Sequence, residues 1–518
     1  MDANTTDLIR HPAGERLQRA GELPEVEELS AVADTFGGRV HVEWDPTAPV
    51  TPLGQLAFFV DYMKAGGLFD AWVADCPLNL SSPNAPAKRD LLGTLLLSTL
   101  AGHYRYAHVT TLRCDGVNPG LLGMSKVVSE DSLRRNLAKI DEPAGLNWLQ
   151  SHLDYCTTPM LSEPWILDVD TTVKPLYGHQ EGAEVGYNPH KPGRPSHNYH
   201  TFFVSSLRLV LRIEVTAGDK YNVVHATDGL WRLLDHLGAH RRPTLLRGDK
   251  AWGVQPVMAE AEQRGLPYLF RLRLTKNVRR AMERAMRDAS WSDAGQGWQG
   301  KETSLRLMGW SQQRRVILLR RKLHGDLVLA DTQSGQERLT FAEVDSRGDL
   351  WEYAALVTSL DDEILTLGQL YRDRADCENA YDELKNHWGW GGFTTHDLKR
   401  CRLLANTVAL TYNWWSLFVR LADPEHHREA ITTRPLLLAA VARQTQHARQ
   451  VTLTISSAHG KQNWAHRAYL RIARFLAELR NAAEQLDSQQ RWHRIVSEAL
   501  RYYLKGRQLA PPLRLNPA

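Results

Sequence analysis

The sequence of 518 residues holds only five cysteines, Cys76, Cys114, Cys156, Cys377 and Cys401. They are odd in number and scattered, with no Cys-x-x-Cys pair, which argues against a disulfide framework and against a cysteine zinc site. No apolar run approaches the ~18–20 residues needed to cross a bilayer. The opening stretch MDANTTDLIRHPAGERLQ has no apolar signal core, so neither export nor a membrane partner is expected, and a reducing cytoplasm is the expected compartment. Strong charge is lacking too. A net +4 with pI near 8.7 is too mild to declare a polyanionic partner, so the distribution of charge matters more than its sum. There is no glycine-rich phosphate loop, nucleophile elbow or dinucleotide fingerprint, and no small-molecule cofactor is expected. Internal repeats and long low-complexity stretches are also missing.

What is present is ordinary for a folded chain. Apolar residues make up 43% and charged residues 24%. The length predicts roughly three domains or one large elaborated one. Sixteen tryptophans read mostly as core, with some free to stack on bases.

Near the N-terminus, GRVHVEW (Gly38–Trp44) alternates like a strand. Then LGQLAFFVDYMKAGGLF and RDLLGTLLLSTLAGHYRY carry apolar residues at helical spacing, split by the linker CPLNLSSPNAPAKRD. Ser129 reads as the N-cap of SLRRNLAKI, a helix that carries Arg134, Arg135 and Lys139. A helix-turn-helix facing DNA and a helical bundle with a basic surface both fit this pattern.

PWILDVDTTVKPLY reads as a strand on which Asp168 and Asp170 share a face, so spacing does not choose between them. The loop YGHQEGAEVGYNPHKPGRPSHNYH offers Lys191 and Arg194 to phosphates. Its histidines, His179, His190, His197 and His200, are too irregularly spaced for zinc and bring no recurring partner. HTFFVSS and LRLVLRIEVTAG read as an antiparallel hairpin. PTLLRGDKAWG is a short apolar strand ending in Asp249, which is either a metal ligand or the N-cap of the helix Val254–Arg264. From about Trp291 to Leu360 the pattern is strand and turn. RRVILLRRKLHGDLVLAD reads there as a basic hairpin, whose Arg314, Arg315, Arg320, Arg321 and Lys322 either track a DNA backbone or block edge pairing. Trp351 and Tyr353 share a face of the next strand.

YRDRADCENAYDELK then sets Tyr371, Arg374, Glu378 and Lys385 on one helical face. A carboxylate ringed by phosphate-seeking cations suits a metal held beside a phosphodiester, although a solvated face laced with ion pairs has the same look. Asp382 lies near that face as an alternative ligand.

The spacing Tyr-x2-Arg-x3-Glu-x6-Lys resembles the signature of the insertion-sequence-four group of DDE transposases. The flanking text, above all DVDTTV with its loop and RGDKAWG, is most similar to the insertion-sequence-thirteen-eighty family. That resemblance implies an α/β ribonuclease-H-like catalytic core with a β-rich insertion, plus a helical N-terminal DNA-binding region and a helical C-terminal region. It assigns Asp170, Asp249 and Glu378 as the catalytic, metal-binding carboxylates, with Tyr371, Arg374 and Lys385 on DNA. It also allows Trp351 or Tyr353 to stack on a base displaced from the duplex end. Three carboxylates suit two Mg²⁺ ions (Mn²⁺ substituting) ~3.5–4 Å apart, serving the nucleophile and the leaving oxygen. The implied activity is cut-and-paste transposition. The protein would bind its element's terminal inverted repeats, hydrolyse DNA at the ends and join the 3′-hydroxyls to target DNA. It would do so as a homodimer, in a bacterial cytoplasm and on the nucleoid when bound to DNA. A non-mobile DNA-binding descendant and another ribonuclease-H-like nuclease are the competing readings. The expected organisation is 1–158 for end binding, 159–289 for the first part of the core and 290–360 for the insertion. The core ends in 361–425 with the glutamate helix, and 426–518 is helical, for dimerisation or DNA contact.

Overall fold

The strand Ile166–Pro175 runs through the middle of a sheet that has 11 strands among the described residues. The computed structural model describes residues 31–189, 191–220, 223–287, 290–323, 342–344, 350–456, 460–481 and 486–504. The chain divides into two units, Met1–Ala48 and Pro49–Ala518. In the first, Ala31–Thr35 pairs antiparallel with Gly38–Val42, where the alternating GRVHVEW predicts a strand.

In the second unit, Ile166–Pro175 pairs antiparallel with Pro195–Val204, which pairs antiparallel with Leu209–Ala217. On its other side it is parallel to Leu245–Gly248, which is parallel to Tyr268–Arg271. Leu245–Gly248 is buried throughout and Tyr268–Arg271 nearly so, as expected of parallel strands covered on both faces. The helices Val224–Leu237 and Gln255–Gln263 connect these strands. The β-rich segment that follows does not stand apart. Leu350–Thr358 pairs with Tyr268–Arg271 and carries Arg314–Lys322, Trp298–Leu305 and Ser292–Gly295 outward in turn. Of the expected basic hairpin, Arg314–Lys322 is a strand, while its second half falls in 324–341, outside the described residues.

The helix Leu398–Ala422 is buried on nearly every side from Leu403 onward, as a helix apolar all round requires. Asp397 caps it, accepting from the Arg400 backbone N–H at 2.8 Å. Asn413 closes the strand beside it in both directions, accepting from Val210 N at 2.9 Å and donating to Val210 O at 2.7 Å. Trp72, Trp165, Trp252, Trp388, Trp414, Trp415 and Trp492 are all fully buried. The tryptophan richness is largely core.

Two flanking expectations need correction. The basic helix after Ser129 spans only Glu130–Leu137. The helix before it is the short Asn118–Leu121, and residues 122–129 between them exceed the 3–4-residue turn of a helix-turn-helix. Ser129 does cap, accepting from Ser132 N at 3.3 Å. Nor is the C-terminal region wholly helical. After Ala430–Leu437 come the antiparallel strands Ala442–His447 and Gln450–Ile455, the first also pairing with Val50–Thr51. The amphipathic helices Gln462–Asn481 and Ser488–Leu504 follow as their periodicity predicts. Among the described residues no helix is long and apolar enough to cross a membrane.

Candidate active site

Strand register brings the first two carboxylates together. Val169 is paired with Gly248 at the end of the parallel ladder, so Asp170 and Asp249 are the next residues along neighbouring strands. The carboxyl ends of parallel strands are where open α/β sheets present their ligands. Gly248 permits the sharp exit from the strand, since a Cβ there would meet the Trp252 Cβ at 2.7 Å. Asp249 Oδ1 accepts from the Ala251 backbone N–H at 2.9 Å, bracing that turn. Asp249 does not cap the helix Gln255–Gln263, whose N-cap is Val254 with no side-chain bond.

The third carboxylate comes from the segment of Tyr371, Arg374, Glu378 and Lys385, which is not one helix. Ile364–Arg372 ends and Ala375–Asn386 begins across a turn at Asp373 and Arg374. Tyr371 therefore closes one helix, while Arg374 is the N-cap residue of the next. The break turns Arg374 inward. It is buried, and its guanidinium donates to Asp170 Oδ2 and, at 3.4 Å, to Glu378 Oε1. Glu378 itself is open, with 69% of its side chain exposed.

The charges here act on one another. Burial pushes the Asp170 carboxyl up to about 7; Arg374 opposes this, and the nearby charges of Asp249 and Glu378 add to it. Burial likewise raises the Tyr371 phenol, which feels Arg374, Arg271, Asp249 and Glu378. Lys385 is pulled down by burial and held up by Asp170 and Asp382. Asp382 also accepts from Asn386 at 2.7 Å. The structure thus gathers Asp170, Asp249, Tyr371, Arg374, Glu378 and Lys385 into one site.

Among the described residues, no three acids, histidines or cysteines stand close enough together to hold a metal ion as they lie. The donor chemistry nonetheless fits a hard divalent cation. All three acids offer oxygen, and Asp170 carries the raised proton affinity of a buried carboxylate among like charges. Arg374 supplies the positive charge between Asp170 and Glu378.

Asp168 is a different kind of group. It is fully buried and receives Arg247 through two parallel bonds, Nε to Oδ1 and Nη2 to Oδ2, each at 2.7 Å. Arg247 also donates to the Leu370 carbonyl and the Ser205 hydroxyl. This pair forms a floor under the end of the helix Ile364–Arg372. A signal for it was in the sequence: an arginine inside the apolar strand LLRG demands a buried acid. Two histidines of the long loop are spent elsewhere. His200 bonds Thr171 and Thr216 at 2.8 and 3.0 Å, and burial pulls it down to about 4, so it stays neutral. His197 bonds the Glu181 carbonyl at 2.8 Å. His190 lies outside the described residues.

The other expected DNA contacts sort unevenly. Lys191 and Arg194 flank the exposed ring of Tyr177, at 5.0 and 4.9 Å from its centroid. Arg134 is turned onto Glu130 at 2.7 Å, Arg135 bonds its own helix at the Asp131 carbonyl, and Lys139 lies beyond the helix end, bonded to Asn136 at 3.3 Å. Arg320 is sandwiched between Trp291 and Trp351, at 4.1 and 4.5 Å. Arg321 pairs with Glu352 at 2.6 Å and lies over Trp298, while Lys322 is half-buried opposite Trp351 in the ladder. Tyr353 is buried at 4% exposure, which corrects its reading as a base-stacking residue: its ring is packed in the core. Trp351 is half-buried and stacks on Arg320 rather than standing free.

Residues 85–477 match the family model described as transposase DDE domain group 1. The match covers well over half of the chain, and the chain belongs to that family of DDE transposases. It is a metal-dependent enzyme of DNA strand cleavage and strand transfer, the chemistry of transposition and DNA recombination. No curated protein matches the chain. Among solved structures, a cryo-EM structure of the piggyBac transposase synaptic complex with hairpin DNA shares 12% identity with a TM-score of 0.39, over 87% of this chain and 86% of that one.

Proposed function

We propose that the protein is the transposase of an insertion sequence of the insertion-sequence-four group, closest in pattern to the thirteen-eighty family. It binds the terminal inverted repeats, cuts there and joins the freed 3′-hydroxyls to target DNA. The observation that carries this is the convergence of Asp170, Asp249 and Glu378 with Arg374 and Lys385 at the strand ends. The strand order, third-second-first-fourth-fifth with the last two parallel to the first, supports a ribonuclease-H-like core.

Asp170, Asp249 and Glu378 are the groups that would hold Mg²⁺. A divalent ion bound there would supply Lewis-acid stabilisation of the phosphodiester and make an oxygen nucleophile easier to deprotonate. The chain's own residues do the rest. Arg374, released from Asp170 and Glu378, offers the phosphate two parallel N–H donors. Lys385 adds a point charge beside it, and the Tyr371 phenol, kept protonated by burial, donates to a phosphate oxygen. Tyr177 with Lys191 and Arg194 gives the flanking strand a ring and two cations. Two copies on DNA would present one such site to each element end.

Because Asp170 holds its proton up to about pH 7 without metal, the proton and the metal compete for it. Metal affinity should rise about fivefold from about pH 6 to pH 7, reach about tenfold by about pH 8 and level off above that. Calorimetry in buffers of different ionisation heat should show close to one proton released at about pH 6 and almost none at about pH 8. A flat profile with no proton release would contradict this.

The proposed activity is tested by incubating the protein, precut duplexes from either side of the gene, a supercoiled plasmid and Mg²⁺. Covalent joining to the plasmid through the 3′ strands is expected, and 3′-deoxy ends should block it. Cutting without any joining would assign the site to a nuclease instead.

A further inference from the structure

The hairpin Ala442–His447 with Gln450–Ile455 takes no part in the candidate site and has almost no core of its own. Its root is held where Ala442 and Arg443 pair with Thr51 and Val50, and Ala442 is buried. Beyond the root it is a bare ribbon of two strands. Gln444 and Leu453 are half-buried, and every residue between them is exposed. Such a ribbon is marginal in water without a third strand or an apolar face. The turn adds to the difficulty. Ala448 and Arg449 have φ of 43° and 68°, consecutive left-handed residues in a turn that favours Asn-Gly. Neither packing nor turn chemistry accounts for this element.

Register sorts its side chains. Residues opposite one another share a face, so Arg443, Thr445 and His447 lie with Thr454, Thr452 and Gln450 on one side. That side is wholly polar. The stretch RQTQHARQVTLT has no aspartate or glutamate. Among the described residues, the side chains of Arg443, His447, Arg449 and Gln450 make no hydrogen bond or ion pair within the chain. Unpaired guanidinium, imidazole, amide and hydroxyl groups, with no anion among them, are the chemistry that meets base edges and phosphates. The dimensions agree: two strands ~4.8 Å apart enter a major groove about 12 Å wide, which admits a two-stranded ribbon.

We propose that this ribbon enters the major groove of duplex DNA, with Arg443, His447 and Gln450 at base edges and Arg449 at the tip on the backbone. The inference rests on the reading of the protein as a DNA transposase, and it adds a sequence-reading element away from the carboxylates.

The test uses the full-length protein with duplexes from the DNA flanking the gene and scrambled duplexes of equal length, followed by fluorescence anisotropy and guanine-N7 methylation footprinting. The triple variant Arg443→Ala, His447→Ala, Gln450→Ala should bind flanking DNA about ten- to a hundredfold more weakly. It should lose N7 protection and keep its affinity for scrambled duplex within a few-fold. The exposed positions predict an unchanged melting temperature. Arg449→Gly separates turn from contact: glycine suits the left-handed tip, so stability should hold or rise while affinity falls. Wild-type binding that the triple variant matches, footprint included, overturns the ribbon proposal and leaves the transposase reading standing. Unchanged DNA affinity with loss of self-association would assign the ribbon to a second copy of the chain and overturn it equally. A wild type that binds none of the duplexes overturns the ribbon proposal together with the proposed binding of the element's own ends.

Discussion

Replacing Asp249 by Asn or Glu378 by Gln should reduce metal-dependent DNA cleavage by about a thousandfold or more, with DNA binding within a few-fold of wild type. Both changes keep side-chain volume and remove a formal charge. Glu378 is exposed and meets Arg374 only at 3.4 Å, so little folding energy is at stake there. Asp249 braces its turn through one bond from Ala251, which the asparagine oxygen can still accept. The loss should therefore fall on turnover and not on folding. A gel assay of nicked product, with thermal melting of each variant alongside, checks it. Cleavage that survives Glu378→Gln would move the third ligand to Asp382 on the same helix.

Asp168→Ala should have the opposite profile, lowering stability by about 3–5 kcal/mol. Asp168 and Arg247 are each 1% exposed at the side chain, and the two bonds between them engage both oxygens of the Asp168 carboxylate. Removing the acid leaves a buried guanidinium whose remaining partners among the described residues are the Leu370 carbonyl and the Ser205 hydroxyl. Breaking a buried pair from one side costs far more than replacing both members with apolar groups. Asp168→Leu with Arg247→Met should therefore be less damaging than either change alone, and a urea-unfolding double-mutant cycle measures this. Equal stability of Asp168→Ala and wild type would contradict the assignment of Asp168 to the floor of the site.

This contrast also shows where sequence reading stopped. Period two put Asp168 and Asp170 on one face, and that is as far as spacing goes. What separates them is the strand next door: Asp168 is paired in register with Arg247, whereas Asp170 lies one residue past the end of that ladder, beside Asp249. The core strands and the helix Leu398–Ala422 were legible because burial on two faces writes continuous apolar runs. The break at Asp373 and Arg374 was not, since neither residue is a helix breaker, both stay in the right-handed helical region, and what turns the chain there is the reach of Arg374 to Asp170. The C-terminal ribbon was hidden for a related reason. It buries almost nothing, so it leaves no alternation of apolar and polar residues to read. Trp351 and Tyr353 shared a face as expected, but the neighbouring strand set their fate, giving Trp351 to Arg320 and Tyr353 to the core.

The most direct measurement of the central claim is the mapping of nicks on duplexes that span each junction between the gene's flanking DNA and its surroundings, with Mg²⁺ and with chelator. The account predicts strand-specific nicks at the junction with Mg²⁺, none with chelator, and none from Glu378→Gln bound to the same duplex. Nicks scattered without regard to the junction, or cleavage that persists in chelator, would contradict it.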